Sequence, residues 1–294
     1  MRKNKRPVIF ALIVLLASAL PTAMFAQGTS YWTKKKFEFL TATSYEKSLL
    51  DTSYSHRYSP PFLSGAYASN AEQTVYVRGD TSWGLSVSLA YFPVEKLGLQ
   101  LYLEFGKPRL RGKNTPYEVE VSYAIGDPTA SPPYPFLFER TYDWPNTEGY
   151  LTQVSVSLNA AVRLPVSART SFSISGGPTY FYTLGEAVGL TYSKFWIEEG
   201  FFVGETYQMK FKFQSTAKFG LNVGAEVNWA IYGNVCFTLD LRFFGTTKSS
   251  VKLEILSNAM LKDALDQVRK TMNIGDIEIN PSFYRAHLGL KYLF

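Results

Sequence analysis

One cysteine, Cys236, and two histidines, His56 and His287, are all that 294 residues hold of these two residue types. A lone cysteine excludes an intramolecular disulfide framework and any cysteine-cluster metal centre. So few imidazoles leave no His-rich metal site. Beyond the N-terminus the chain lacks uninterrupted apolar runs of about 20 residues, which a polytopic helical membrane protein requires. A phosphate-binding glycine loop, a dinucleotide fingerprint, an HExxH pair and a calcium loop are all missing from the sequence. No cofactor and no metal is expected.

The one long apolar run sits at the start. Arg2, Lys3, Lys5 and Arg6 precede Val8 to Leu20, and Pro21-Thr22-Ala23-Met24-Phe25-Ala26 follows. A basic start, an apolar core and small residues near the exit predict a secretory signal over residues 1–26, with a mature domain over 27–294. Cleavage there removes four of the 30 basic residues and none of the 24 acidic ones, leaving 26 against 24. The excess of positive charge therefore belongs mostly to the signal. Nucleic acid loses its electrostatic argument as a partner.

What the mature chain has is alternation. Trp83, Leu85, Val87, Leu89 and Tyr91 occupy every second position, with Gly84, Ser86, Ser88 and Ala90 between them. After a break containing Pro93, Leu97, Leu99, Leu101, Leu103 and Phe105 repeat the pattern against Gly98, Gln100, Tyr102 and Glu104. Two further hairpins do the same, around Val154–Leu184 and around Leu221–Phe243. Successive strand side chains point to opposite faces, so each segment has one apolar face and one polar or small face. A soluble β-sandwich also alternates. Here, however, the apolar faces are almost free of charge, and Tyr91, Phe92, Trp229, Tyr232, Tyr292 and Phe294 gather at strand ends as an interfacial girdle would.

The chain ends inside a strand. Tyr284, Ala286, Leu288, Leu290, Tyr292 and Phe294 alternate with Arg285, His287, Gly289, Lys291 and Leu293. This segment resembles the C-terminal strand of bacterial outer-membrane β-barrels, and the mature chain resembles the small OmpA/OmpX-type family. The resemblance implies that Leu288, Leu290, Tyr292 and Phe294 are read by the barrel-insertion machinery. It also implies outer-membrane lipid and lipopolysaccharide as surroundings, and a structural or surface-interactive role toward an unidentified partner. The chain departs from the OmpA pattern in one respect: no periplasmic domain is expected after the last strand, and so no anchoring to peptidoglycan through one.

Counting back from the end gives strands 283–294, 235–247, 207–229, 171–192, 150–164, 97–110 and 76–91, and an upward strand at 35–44 completes eight. The expected fold is an all-β, antiparallel, up-and-down transmembrane barrel with long outer loops and short periplasmic turns. Ten strands result if Tyr117–Tyr123 and Phe136–Tyr142 join the wall rather than forming a hairpin above it. One odd-numbered stripe from Tyr207 to Trp229 outruns the bilayer, so it and its partner should project as a paired sheet. The connecting tip carries Phe195, Trp196, Ile197, Phe201 and Phe202, either as a contact surface or packed under neighbouring loops. Leu261, Leu265, Val268 and Met272 recur at helical spacing and predict a short helix at the mouth.

Eight strands leave room for side chains but not for an open pore. Inward positions place Glu104, Asp240, Arg242, Arg285 and His287 in one layer and Glu226, Lys291 and Arg163 in a second, nearer the turns. Charges in so narrow a space must pair, which predicts two ion-pair clusters that plug the lumen. Asp51, Ser53, Ser55 and His56 could supply an acid, a nucleophile and a base in the first outer loop. Their proximity in sequence provides no such geometry, and no enzymatic activity is expected. A small channel is the alternative reading, and a lipid-modifying enzyme a further one.

Overall fold

The computed structural model describes Trp32 and residues 34–60, 67–124, 135–143, 146–198, 201–256 and 276–294. The expected signal segment and the expected helix over 261–272 lie outside these. Among the described residues sixteen strands follow one another: β1 Phe37–Ser48, β2 Asp51–Tyr58, β3 Tyr67–Gly79, β4 Thr81–Val94, β5 Leu97–Gly106, β6 Arg109–Gly112, β7 Tyr117–Ala124 and β8 Pro135–Tyr142 in the first half. The second half adds β9 Thr147–Pro165, β10 Thr170–Glu198, β11 Phe201–Tyr232, β12 Val235–Thr246, β13 Ser249–Val251, β14 Leu253–Ile255, β15 Ile277–Ile279 and β16 Phe283–Leu293.

Eight of them close a ring in the order β1-β4-β5-β9-β10-β11-β12-β16, every neighbour antiparallel, with β16 returning to β1. The hairpin β7–β8 stays off the ring, with β7 paired to β3. The turns at one end are short; Gly233 adopts φ 52° there, a left-handed conformation that glycine takes without strain and that the tight β11–β12 turn needs.

The ring is inverted relative to a soluble protein. Along β1, β4 and β5 every second residue is buried, and the buried set is mostly polar or small, as at Ser44, Ser86, Ser88, Gln100 and Glu104, with Leu40, Phe92 and Tyr102 among them. The outward set is apolar and open, with Trp83 73 % and Phe219 76 % exposed. Two aromatic belts bound this surface. Near the short turns Phe37 stacks on Tyr91 and Phe294, centroids 4.8 and 5.6 Å apart; at the other level Tyr45 meets Trp83 edge-on at 5.5 Å and Phe243 lies 4.9 Å from Tyr284. Phe37 and Tyr45 are eight residues apart on β1, which at about 3.3 Å per residue and a tilt of about 40° separates the belts by about 20 Å. A closed barrel satisfies its backbone internally, so this apolar band is built to face lipid.

Above the upper belt the strands continue into a second, conventional structure. β10 and β11 run 29 and 32 residues, far beyond the roughly 10 that a tilted strand needs to span a bilayer. With β2, β3, β7 and the short strands β13 to β15 they enclose an apolar core that includes Val75, Val119, Leu190, Met209, Phe211 and Phe213. The same strands therefore carry apolar residues outside below and inside above. The switch is made by irregular pairing: Thr183 opposes Thr216 but Gly185 opposes Phe213, and Val188 opposes Lys210 but Leu190 opposes Met209. An extra residue on one strand turns every later side chain to the other face. The stripe expected to run on one face from Tyr207 to Trp229 is thus corrected: Phe211 and Phe213 are buried, whereas Phe219 and Leu221 face out.

Candidate functional site

The lumen is filled in layers. At the turn end, Trp32, Cys236 and Leu293 pack together, and the Arg163 guanidinium lies 3.6 Å above the Phe92 ring. Next comes a charged layer. Glu38 sits 3.1 Å from Arg163 Nη2 and 2.8 Å from Lys291 Nζ, and Lys291 also donates to Glu226. Asn228 Nδ2 donates to Glu226 at 2.8 Å. Leu40, Ala42 and Tyr102 separate this layer from a second one.

In that second layer Arg285 binds two carboxylates, Glu46 through Nε at 3.1 Å and Glu104 through Nη1. His287 stands between Glu104, 2.8 Å from Nε2, and Asp240, 3.4 Å from Nδ1. Asp240 accepts from Arg242 Nε at 3.2 Å and from the Tyr102 hydroxyl at 3.1 Å. Arg242 Nη2 donates to Ser175 at 2.8 Å. A Cβ on Gly106 would collide with the Arg285 guanidinium and the Glu46 carboxylate, so that position stays open for the pair. Above it Phe181, Phe244 and Phe283 close the section, with Phe244 and Phe283 stacked at 4.6 Å.

The eight charged residues read from the sequence, Glu104, Asp240, Arg242, Arg285, His287, Glu226, Lys291 and Arg163, therefore fall into these two layers and are buried. Two were missed, Glu38 and Glu46, both on β1. The expected strand 35–44 ends before Glu46, whereas β1 runs on to Ser48. In the structure Glu46 points inward and Lys47 outward, which is ordinary strand parity. Glu38 points inward too.

The outer-loop cluster does not assemble. Asp51, Ser53 and Ser55 occupy the exposed face of β2, while His56 is buried on the opposite face. Asp51 instead pairs with Arg78 at 3.1 Å and Ser55 shares a hydrogen bond with Thr74. His56 is buried beside the apolar core, stacked on Tyr58 at 6.0 Å and tilted toward Tyr54 at 6.5 Å, and burial pulls its pKa down to about 4. Tyr58 donates or accepts at 2.6 Å with Tyr117, and burial holds the Tyr58 phenol well above its usual range.

At the strand tip two readings stood open, and Phe195 follows the second. Phe195 is buried, 6.1 Å from Phe138, so it packs beneath its neighbours and presents no contact surface. Trp196 is half-buried and donates from Nε1 to Glu198 at 3.2 Å. The side chains of Ile197, Phe201 and Phe202 lie outside the described residues. At the C-terminus Leu288, Leu290, Tyr292 and Phe294 all face outward, and Phe294 exchanges backbone hydrogen bonds of 2.9 and 3.0 Å with Phe37. Among the described residues no group of His, Cys, Asp and Glu is arranged to hold a metal ion.

No family model and no curated protein matches the chain. Solved structures do resemble it at low identity. The outer membrane protein OprG from Pseudomonas aeruginosa is 9 % identical over 88 % of this chain and 96 % of its own, with a TM-score of 0.45. Ail, the attachment invasion locus protein of Yersinia pestis, is 10 % identical over 88 % and 99 %, TM-score 0.32. The outer membrane protease OmpT from Escherichia coli is 8 % identical over 92 % and 100 %, TM-score 0.32. The chain's own strand ring, lipid-facing exterior and aromatic belts make it a membrane-spanning antiparallel β-barrel of eight strands, the architecture of small bacterial outer-membrane proteins.

Proposed function

We propose that the chain is a closed, non-conducting outer-membrane barrel that carries a folded β-platform at the cell surface. Its role on this reading is structural or surface-interactive rather than enzymatic. The observation that supports it is the continuity of the filling. Two buried ion-pair layers, an aromatic layer and the apolar core of the platform succeed one another along the axis. Phe181, Phe244 and Phe283 pack against one another there, and on this reading they interrupt any polar path for water and ions. Outer-membrane lipid and lipopolysaccharide surround the band, the insertion machinery reads the strand ending at Phe294, and the platform meets the surface partner.

The placement is tested by labelling. Cys236 is buried, so the native protein is silent to a membrane-impermeant maleimide. Thr141→Cys on the platform should label on intact cells, and Glu95→Cys in the β4–β5 turn only after the envelope is permeabilised. Labelling in the reverse order would contradict the reading.

A further inference from the structure

On β5 and β6 the outward face changes character at one point. Leu97, Leu99, Leu101, Leu103 and Phe105 face lipid, and the next four outward positions are Lys107, Arg109, Arg111 and Lys113, all exposed. Two residues of strand, about 7 Å, separate the last lipid-facing ring from the first cation. That is the depth at which lipid headgroup phosphates lie. Neighbouring strands add to the patch at the same level. Lys47 follows Tyr45 of the upper belt, and Arg78 opposes Arg111 in register.

Like charges directly opposite one another across a ladder are unfavourable. Arg78 and Arg111 are relieved only in part, by Asp51 at 3.1 Å and Asp80 at 3.6 Å, and both guanidinium groups remain largely exposed. Lys47, Lys107, Arg109 and Lys113 make no ion pair among the described residues; Lys107 lies over the Tyr150 ring at 3.8 Å. The patch is also grooved. One groove runs between Lys107, Arg109, Arg111 and Tyr150, and a second between Lys47, Arg78, Arg111 and Lys113. They share Arg111 and Glu148, so six cations line them against two carboxylates, Asp80 and Glu148.

We infer that this stretch of wall is a docking site for a phosphorylated, acylated glycolipid of the outer leaflet. Its phosphates lie in the two basic grooves and its acyl chains lie along Leu101, Leu103 and Phe105. Charge complementarity and depth select this occupant together. A soluble anion would gain nothing from the apolar stripe, and a neutral lipid nothing from the cations. The inference rests on the outer-membrane placement proposed above and names the lipid that this face holds.

The test uses the full mature protein refolded in detergent and loaded with bisphosphorylated lipid A. The lipid retained after washing is quantified through its released hydroxy fatty acids. The wild type should retain it, and the variant Lys107→Gln/Arg109→Gln/Lys113→Gln should retain about ten-fold less or lower still. A control variant, Arg57→Gln/Arg140→Gln/Lys248→Gln, removes the same charge higher on the platform and should retain as much as the wild type. Dephosphorylated lipid A should not be retained, and millimolar inorganic phosphate should not displace the bound lipid.

Equal retention by the groove variant would overturn the site. So would retention of the dephosphorylated lipid, which needs only apolar contact. Displacement by inorganic phosphate would assign the grooves to a free anion instead. Heat-dependent gel migration reports whether each variant is folded. The labelling experiment above fails independently if the outer-membrane placement is wrong.

Discussion

Glu46 and Arg285 stand directly opposite one another across the seam where the first strand of the barrel meets the last, with Arg285 Nε 3.1 Å from the carboxylate. The residues that close the ring in sequence are thus also joined inside it. One layer down Glu38 and Lys291 join the same two strands on a diagonal, at 2.8 Å, with Leu40 rather than Glu38 directly opposite Lys291. Breaking a buried pair leaves an uncompensated charge at a cost of about 3–5 kcal/mol.

A double-mutant cycle measures the seam. Glu46→Ala and Arg285→Ala should each lower thermal stability in detergent, and the double variant should lose less than the two single losses combined, by at least about 1 kcal/mol. Strictly additive losses would mean that the pair contributes no coupling.

Glu104 joins Arg285 to His287 and is fully buried. Glu104→Ala should lower the temperature at which the folded band is lost on heating. An unchanged midpoint would remove this residue from the cluster.

The platform should respond to acid through His56. Its pKa is about 4 in the folded protein against 6.5 for the free side chain, so the unfolded state binds the extra proton first. Stability contributed by the neutral ring is complete above about pH 6.5 and is lost as pH falls toward 4, amounting to about 3 kcal/mol. Protection factors in β2, the exchange rates corrected for the intrinsic pH dependence of amide exchange, should therefore fall over that window, and His56→Phe, which keeps an aromatic ring there, should flatten the response. A pH-independent protection factor in the wild type would contradict the assignment.

Phe211 lies at the centre of the platform core, edge-on to Tyr54 at 5.9 Å and to Phe213 at 5.4 Å. Phe211→Ala should cost about 3–5 kcal/mol of local stability. Limited proteolysis should then remove the platform while leaving a protected barrel. A fragment pattern identical to that of the wild type would show that the core does not hold the platform together.

The ring was legible in the sequence because lipid outside and packed side chains inside impose period-two alternation on every spanning strand. Phe105 and Glu104, or Leu241 and Asp240, announce their faces by themselves. The platform was hidden for the same reason. Its core is apolar within, so Phe211 and Phe219 look alike in a list of odd-numbered residues although they face opposite ways. Only the irregular pairing near Gln214 and Ser215 separates them, and neither residue is a glycine or proline. The signal lies on the partner strand, where Gly185 and Gly189 interrupt β10 at the two register shifts. Of the charged layers, the members on long regular strands were readable. Glu38 and Glu46 were not, since β1 alternates only weakly, with Thr41 and Thr43 on its outward face and Leu40 on its inward one.

Planar-bilayer conductance of the refolded protein, wild type beside Arg285→Ala, tests the filled lumen most directly. The account predicts silence from the wild type under an applied potential; removal of the guanidinium that binds Glu46 and Glu104 should introduce brief, irregular openings at most. Reproducible unitary steps from the wild type would contradict it, because a conducting path cannot coexist with the packed layers between Trp32 and Phe283.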